Sequence, residues 1–351
     1  MSLLDNLEET DLKETNKQLI EETPSVGVKH DSEYRSNPAI SNSDLNYYIK
    51  FGLEQFKLYK SGKMKGIEET ASMSLGTLCH CLILEPNEFH NRYFAFSGKV
   101  PTTSNMNDFC SKILEGKTIV DAYRDSYSVK GLSKEVVEKK ALELYENLGS
   151  YLIEKKKSEG KIIIDYDTYD KAVKVADKFN SSDLIGKILR STPELDKDSI
   201  EFLYEQEVFA TITLLTGEVF KLKGRVDLII KDKNNNFVIV DVKTTSNPFY
   251  EEFSKVANTF HYNRELSYYK LLLETGSLPI CFNGNLYSNE NNLSLNKCLG
   301  AYITALGTLF PYSNHLYLVN TYEPLWFIHE LLKLNKNIEV TQEEDKEYSI
   351  L

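Results

Sequence analysis

Two carboxylates and one ammonium dominate the chemistry this sequence can offer. Asp227 stands in the run Gly224-Arg225-Val226-Asp227-Leu228-Ile229-Ile230, and Asp241 and Lys243 close the run Val238-Ile239-Val240-Asp241-Val242-Lys243-Thr244-Thr245. In a strand, residues two apart share a face. Asp241 and Lys243 therefore emerge together at a strand end, with Ile239 deeper on their face and Val238, Val240 and Val242 on the other. A short polar turn at residues 231–236 folds the two runs into a hairpin, which brings Asp227 alongside. Hard carboxylate oxygens suit Mg2+ or Mn2+. A lysine beside such an ion can orient or deprotonate a water and offset phosphate charge. An isolated D-x-K at a strand end is common and means little. Two acids set in the apolar strands of one hairpin are harder to attribute to stability, because a buried charge is costly unless it is paired or metal-bound.

The elements that must position these groups can be read from periodicity. Residues 202–215 alternate as a strand, Thr216-Gly217 supplies a turn, and residues 219–230 form a second strand interrupted at Gly224. The third strand, 237–242, is almost continuously apolar and so belongs in the sheet interior. One helix over 255–274, stopped by Gly276, follows it. Upstream, Ser41 or Ser43 caps a helix to residue 59, with Leu45, Tyr48 or Ile49, Leu53 and Phe56 on its apolar side. A helix over 72–84 is ended by Pro86. Residues 102–160 are mostly helical, and the Lys/Glu-rich stretch 132–157 reads as a solvated face. Asp165 or Asp167 caps a further helix to about residue 190. Beyond it, 279–296 is loop-rich with a short strand, 301–309 and 316–320 are strands, and 325–334 is a helix. The fold class is α/β of the α+β kind, a central mixed β-sheet flanked by helices. Residues 1–36 form a disordered acidic tail and 336–351 a second acidic tail. Between them, 37–335 is a single domain with a helical part (37–200), a catalytic sheet and helix (201–276) and a C-terminal elaboration (277–335).

Composition bounds the function less sharply. A net charge of −11 argues against a general DNA-coating protein. It leaves room for an enzyme whose phosphate contacts are confined to one groove. Five irregularly spaced cysteines (Cys79, Cys81, Cys110, Cys281, Cys298) suggest neither a disulfide framework nor a zinc pattern, and point to a reducing, cytoplasmic setting. No apolar stretch is long enough for a membrane helix, and no secretory signal is visible, so no membrane partner is expected.

Several stretches together resemble the PD-(D/E)xK nuclease superfamily, and within it the phage and prophage exodeoxyribonuclease VIII (RecE-like) branch. They are Ser41-Asn42-Ser43-Asp44-Leu45, Leu75-Gly76-Thr77-Leu78-Cys79-His80 running to Leu84-Glu85-Pro86, Glu205-Gln206-Glu207-Val208-Phe209, Lys223-Gly224-Arg225-Val226-Asp227, Asp241-Val242-Lys243-Thr244-Thr245, and a downstream helix ending in Tyr269. The stretch G-T-x-x-H to L-E-P is the more specific marker. The resemblance implies that Asp227, Asp241 and the Val242 carbonyl bind metal, that His80 reaches the site as ligand or phosphate contact, and that Lys243 acts on water and phosphate. It also implies an acid on the preceding strand: Glu205 matches best, and Glu207 remains open. The family helix carries Gln-x-x-x-Tyr, whereas here Glu265 holds the Gln position four residues before Tyr269. The two still share a helix face, but an ionised Glu cannot donate a hydrogen bond.

The function implied is a Mg2+- or Mn2+-dependent exonuclease that resects linear double-stranded DNA in phage-type recombination. A single-strand annealing partner and a ring-shaped homo-oligomer follow from the resemblance only. Two other readings compete. An iron–sulphur nuclease relative would need one cysteine before the core and three close together after it, and only Cys281 and Cys298 follow, far apart. A non-catalytic DNA-binding protein on the same scaffold would have little reason to keep Asp227, Asp241 and Lys243 together.

Overall fold

Apolar β-branched runs joined by short turns build the centre of the molecule. The computed structural model describes residues 31–63, 71–158, 160–214, 219–274, 280–282, 285–291, 295–309, 314–319 and 333. Two compact units are distinguished. In Met1–Pro38 the described part carries a short helix, Asp31–Ser36. Ala39–Leu351 contains all else described below. The rest of the tail expected over 1–36, the tail 336–351 and, apart from Lys333, the helix expected over 325–334 lie outside the described residues.

The main sheet contains β3 (Glu201–Leu214), β4 (Val219–Lys231), β5 (Phe237–Thr245), β6 (Ile280–Phe282), β7 (Asn285–Asn291), β8 (Cys298–Gly307) and β9 (His315–Leu318). Among the described residues its order is β6-β7-β3-β4-β5-β8-β9, and only β5 and β8 run parallel. β5 lies in the interior, as its apolar run predicts, with Phe237 to Val242 all buried. Ile239 packs on one face with Phe237, Val226 and Ile303. Val238, Val240 and Val242 pack on the other with Leu228, Tyr302 and Leu306. The mixed, helix-flanked sheet is the architecture expected.

Helices cover both faces. On one lie α1 (Asn42–Lys60) and α9 (Tyr262–Leu273). Ser41 and Asp44 close a capping box at the start of α1: the Ser41 hydroxyl accepts the Asp44 N–H at 3.1 Å and Asp44 accepts the Ser41 N–H at 2.9 Å. Just before it, Ile40 is tied to β4 by two backbone hydrogen bonds and receives the Tyr268 hydroxyl on its carbonyl. The entry motif is thus a staple that fixes the first helix to the sheet. On the opposite face lie α2 (Ala71–Leu84), α6 (Tyr166–Ser181) and α7 (Leu184–Ser191), packed through Leu78, Val175 and Ile188. Three further helices, α3 (Ser104–Leu114), α4 (Ile119–Ser126) and α5 (Lys134–Lys157), gather around their own core of Phe109, Ala141 and Leu148.

Three expectations are corrected. The helix capped by Asp165 stops at Ser181 and resumes at Leu184, because Ser182 is extended. The helix expected over 255–274 is two, α8 (Tyr250–Phe260) and α9, separated by His261 in the left-handed region (φ 56°, ψ 44°). Strand β4 is not interrupted at Gly224. This glycine lets α9 approach instead: a Cβ there would lie 2.7 Å from Leu272 Cδ1 and 3.2 Å from the Tyr269 ring. Gly224→Ala should overpack this contact and lower stability by about 1–3 kcal/mol, read from chemical denaturation. An unchanged midpoint would show that α9 has room to yield. A small parallel pair, β1 (Tyr93–Phe96) with β2 (Ile162–Asp165), was not anticipated, since its two short strands are far apart in sequence.

Candidate active site

A break in strand alternation builds the site. In β4, Phe220, Leu222 and Val226 face the α9 side, yet Leu228 and Ile230 face the α2 side. In β3, Val208 and Ala210 face the α9 side, while Phe202 faces the α2 side. Both strands therefore change face between these positions. Glu205 and Asp227 sit opposite one another at the change, between the paired rungs Tyr204–Leu228 and Gln206–Val226. Glu205 has a positive φ of 45°, a conformation that costs a non-glycine residue energy and is retained where the surroundings impose it.

At the same level β4 leaves β5. Their ladder ends at Leu228–Val240, one residue short of Asp227 and Asp241, whereas β5 stays paired with β8 to Thr245. The Asp227 carboxylate takes over from the missing rung: its Oδ2 accepts the Val242 N–H at 2.7 Å. Helix α2 closes the gap from the other side. Leu78 is fully buried, with Leu75 and Leu82 beside it, and His80 is turned off this stripe toward the acids. Its Nδ1 lies 3.8 Å from Asp227 Oδ2 and 4.0 Å from Glu205 Oε1. One turn earlier, Gly76 lets the helix approach the end of β5, where a Cβ would meet Thr244 Oγ1 at 3.0 Å.

His80, Glu205 and Asp227 each offer a ligand atom, and these atoms lie within 4.8 Å of one another. Burial first, then the nearby charge of Asp227, pushes the Glu205 carboxyl up to about 8. Asp241 is buried and raised in the same direction, chiefly by burial, and its Oδ2 has no hydrogen-bond partner. Crowded, desolvated carboxylates with an orphaned oxygen and an adjacent imidazole fit a divalent cation, whose charge would offset their repulsion.

Lys243 forms the second half of the site. Its Nζ donates to Asp241 Oδ1 at 2.8 Å and lies 3.3 Å from Glu265 Oε2. The Tyr269 hydroxyl donates to Glu265 Oε1 at 3.3 Å. Burial disfavours the ammonium, but the charges of Asp241, Glu265 and Asp227 outweigh it and hold Lys243 well above the usual lysine range. Glu265 is itself raised by burial, against the pull of Lys243.

With this geometry in view, the comparison with known families is decisive: the model of the PD-(D/E)XK nuclease superfamily matches residues 41–280. The chain belongs to this superfamily. No curated protein matches it. The matched stretch includes every candidate residue, from His80 to Tyr269. Membership in the PD-(D/E)XK nucleases carries phosphodiester hydrolysis as reaction class, DNA as substrate class and divalent ions as the usual cofactors.

The structure separates the two glutamates that the sequence left open. Glu205 joins His80 and Asp227, while Glu207 pairs with Arg225 at 3.1 Å. Strict alternation would have put both on one face, and the positive φ at Glu205 is what divides them. Val242 has its side chain in the core and its N–H on Asp227. Tyr262 was missed by sequence reasoning: its ring lies 5.1 Å from the Lys243 ammonium. The signal for it is the helix break at His261, which is a backbone event without a glycine or proline to announce it. Cys79, Cys81 and Cys110 are packing residues, with burial raising their thiols to about 12, 11 and 11. Among the described residues no helix is long and apolar enough to cross a membrane.

Proposed function

We propose that this chain is a Mg2+- or Mn2+-dependent exodeoxyribonuclease that digests linear duplex DNA from its ends. The observation that carries the reading is the convergence of His80, Glu205 and Asp227 at the point where β4 parts from β5, with Asp241 and Lys243 beside them. His80, Glu205, Asp227 and Asp241, with the Val242 carbonyl, would hold the metal. Such an ion would supply a water of lowered pKa and positive charge against the phosphate. Lys243 presents its ammonium to a phosphate oxygen and to the attacking water, and Glu265 keeps it from collapsing wholly onto Asp241. Tyr269 orients Glu265. Contacts to the backbone rather than to base edges would give little sequence preference.

The stretch Gly76-Thr77-Leu78-Cys79-His80 to Leu84-Glu85-Pro86 supports placement in the RecE-like branch. Glu85 anchors the end of α2 through two hydrogen bonds from Arg92, at 2.6 and 2.9 Å, so this marker serves to hold His80 in position. By the same placement we assign the protein to phage-type recombination in a bacterial cytoplasm, with a single-strand annealing partner and a ring-shaped oligomer. Incubation with linear and covalently closed circular duplex, with Mg2+ or with chelator, tests the reading. Degradation of the linear form alone, only with metal, is expected. Cutting of the closed circle at a similar rate would replace the exonuclease by an endonuclease.

His80→Ala should lower turnover by at least about 10- to 100-fold, since that is the cost of losing even an outer-shell partner of a metal ligand, and change DNA affinity little. Fluorescence anisotropy beside single-turnover kinetics separates the two. A loss confined to affinity would move His80 from the reacting centre to the general DNA surface.

A further inference from the structure

The geometry points to a base-stacking step made by Phe260 and Tyr262, which receives an unpaired base of the strand being cut; we propose it on the strength of the nuclease reading above. Two residues apart on a continuous helix, these side chains would point to nearly opposite sides. Here His261, left-handed at φ 56° and ψ 44°, breaks the helix between them. The rings consequently lie on one side, stacked at 16° between planes with centroids 6.0 Å apart. The left-handed residue ends α8 as an ordinary helix cap, its N–H donating to the Asn258 carbonyl at 3.3 Å, and its consequence here is to set the two rings side by side.

The two rings differ in exposure. Tyr262 is half-buried, leans on Phe253 at 6.2 Å and faces the Lys243 ammonium at 5.1 Å. Phe260 is 62 % exposed and takes no part in the described core clusters. The chain therefore carries a short aromatic path from the catalytic lysine to an open ring face. A phosphate at Lys243 would bring the base of its own or the adjoining nucleotide to that face. Bases of any identity stack on aromatic rings, which suits an enzyme that does not read sequence. A base inside an intact duplex has no free face to offer, so the bound end must be frayed or single-stranded at this point.

Phe260 lies on the surface, so Phe260→Ala is expected to fold normally. The probes are a single-stranded 12-mer with 2-aminopurine at successive positions and a blunt duplex of the same sequence, bound in Ca2+. We expect Phe260→Ala to weaken single-strand binding roughly 5- to 100-fold and duplex binding less. Quenching of 2-aminopurine near the bound end should be seen with wild type and with Phe260→Trp, and be lost with Phe260→Ala. Equal affinity and quenching in wild type and Phe260→Ala, with cleavage intact in both, would overturn the stacking step and leave the nuclease reading standing. A wild-type protein that neither binds nor cuts DNA would overturn both. A change of oligomeric state in Phe260→Ala with unchanged strand binding would assign the ring to a contact between subunits, and overturn the proposal as well.

Discussion

Lys243→Met and Asp241→Asn should each lower the rate of cleavage by about 10^2- to 10^3-fold or more, the range for removing one preorganised electrostatic group, and should move stability in opposite directions. Lys243 is the partner of Asp241 Oδ1, and Asp241 Oδ2 already has none. Replacing the lysine leaves a buried carboxylate without its counter-charge, a change that costs about 3–5 kcal/mol when the acid stays ionised and less when it takes up a proton. Replacing the aspartate removes a charge that burial disfavours, and Lys243 retains Glu265 at 3.3 Å. Asp241→Asn should therefore be as stable as wild type in the absence of metal, or more so. The double variant should recover much of the stability lost in Lys243→Met while staying inactive. Denaturation midpoints and single-turnover rates on linear duplex measure the two effects separately. Wild-type cleavage by either single variant would remove these residues from the reaction. If Asp241→Asn instead unfolded the protein, the carboxylate would have to be structural.

The difference between what the sequence disclosed and what it hid follows the range of the interactions. β5 was legible because burial on both faces leaves a continuous apolar run, and the same run fixed Asp241 and Lys243 on one face by simple alternation. The helix cap at Ser41 and the stop after Leu84 were legible because caps and prolines act locally. Glu205 was a harder case. Alternation equates it with Glu207, and only a tertiary distortion shared by β3 and β4 sends one to His80 and the other to Arg225. The break at His261 was hidden for the opposite reason. Neither Phe260-His261-Tyr262 nor its flanks contain a helix breaker, so periodicity reads straight through a residue that packing holds in the left-handed region. His80 was recognised from its motif, but its distance from the acids depends on how α2 packs against β5. Gly76 shows that relation directly, since a Cβ there would lie only 3.0 Å from Thr244 Oγ1.

The acidic cluster also makes metal binding visible without any cleavage. A ligand that binds only the folded state stabilises it by RT ln(1 + [L]/Kd), about 2.7 kcal/mol at one hundred times Kd. For a chain of 351 residues that corresponds to a rise in Tm of roughly 4 °C, at about 1.4 °C per kcal/mol. We expect such a rise with Mg2+ or Mn2+, and its reversal by chelator together with complete loss of activity. Ca2+ should raise Tm as well but inhibit cleavage, because its larger and more flexible oxygen shell places the attacking water poorly. Asp227→Asn is the sharper control. The amide oxygen can still accept the Val242 N–H that Asp227 accepts at 2.7 Å, so the join between β4 and β5 is kept. The charge that crowds Glu205 is lost, so the metal-free variant should melt no lower than wild type. Its Tm should nevertheless fail to rise with Mg2+, and its activity should be absent. Differential scanning fluorimetry across a metal titration reads all of these outcomes. Full activity in excess chelator, or an unaltered Mg2+ response in Asp227→Asn, would place the metal elsewhere or dispense with it.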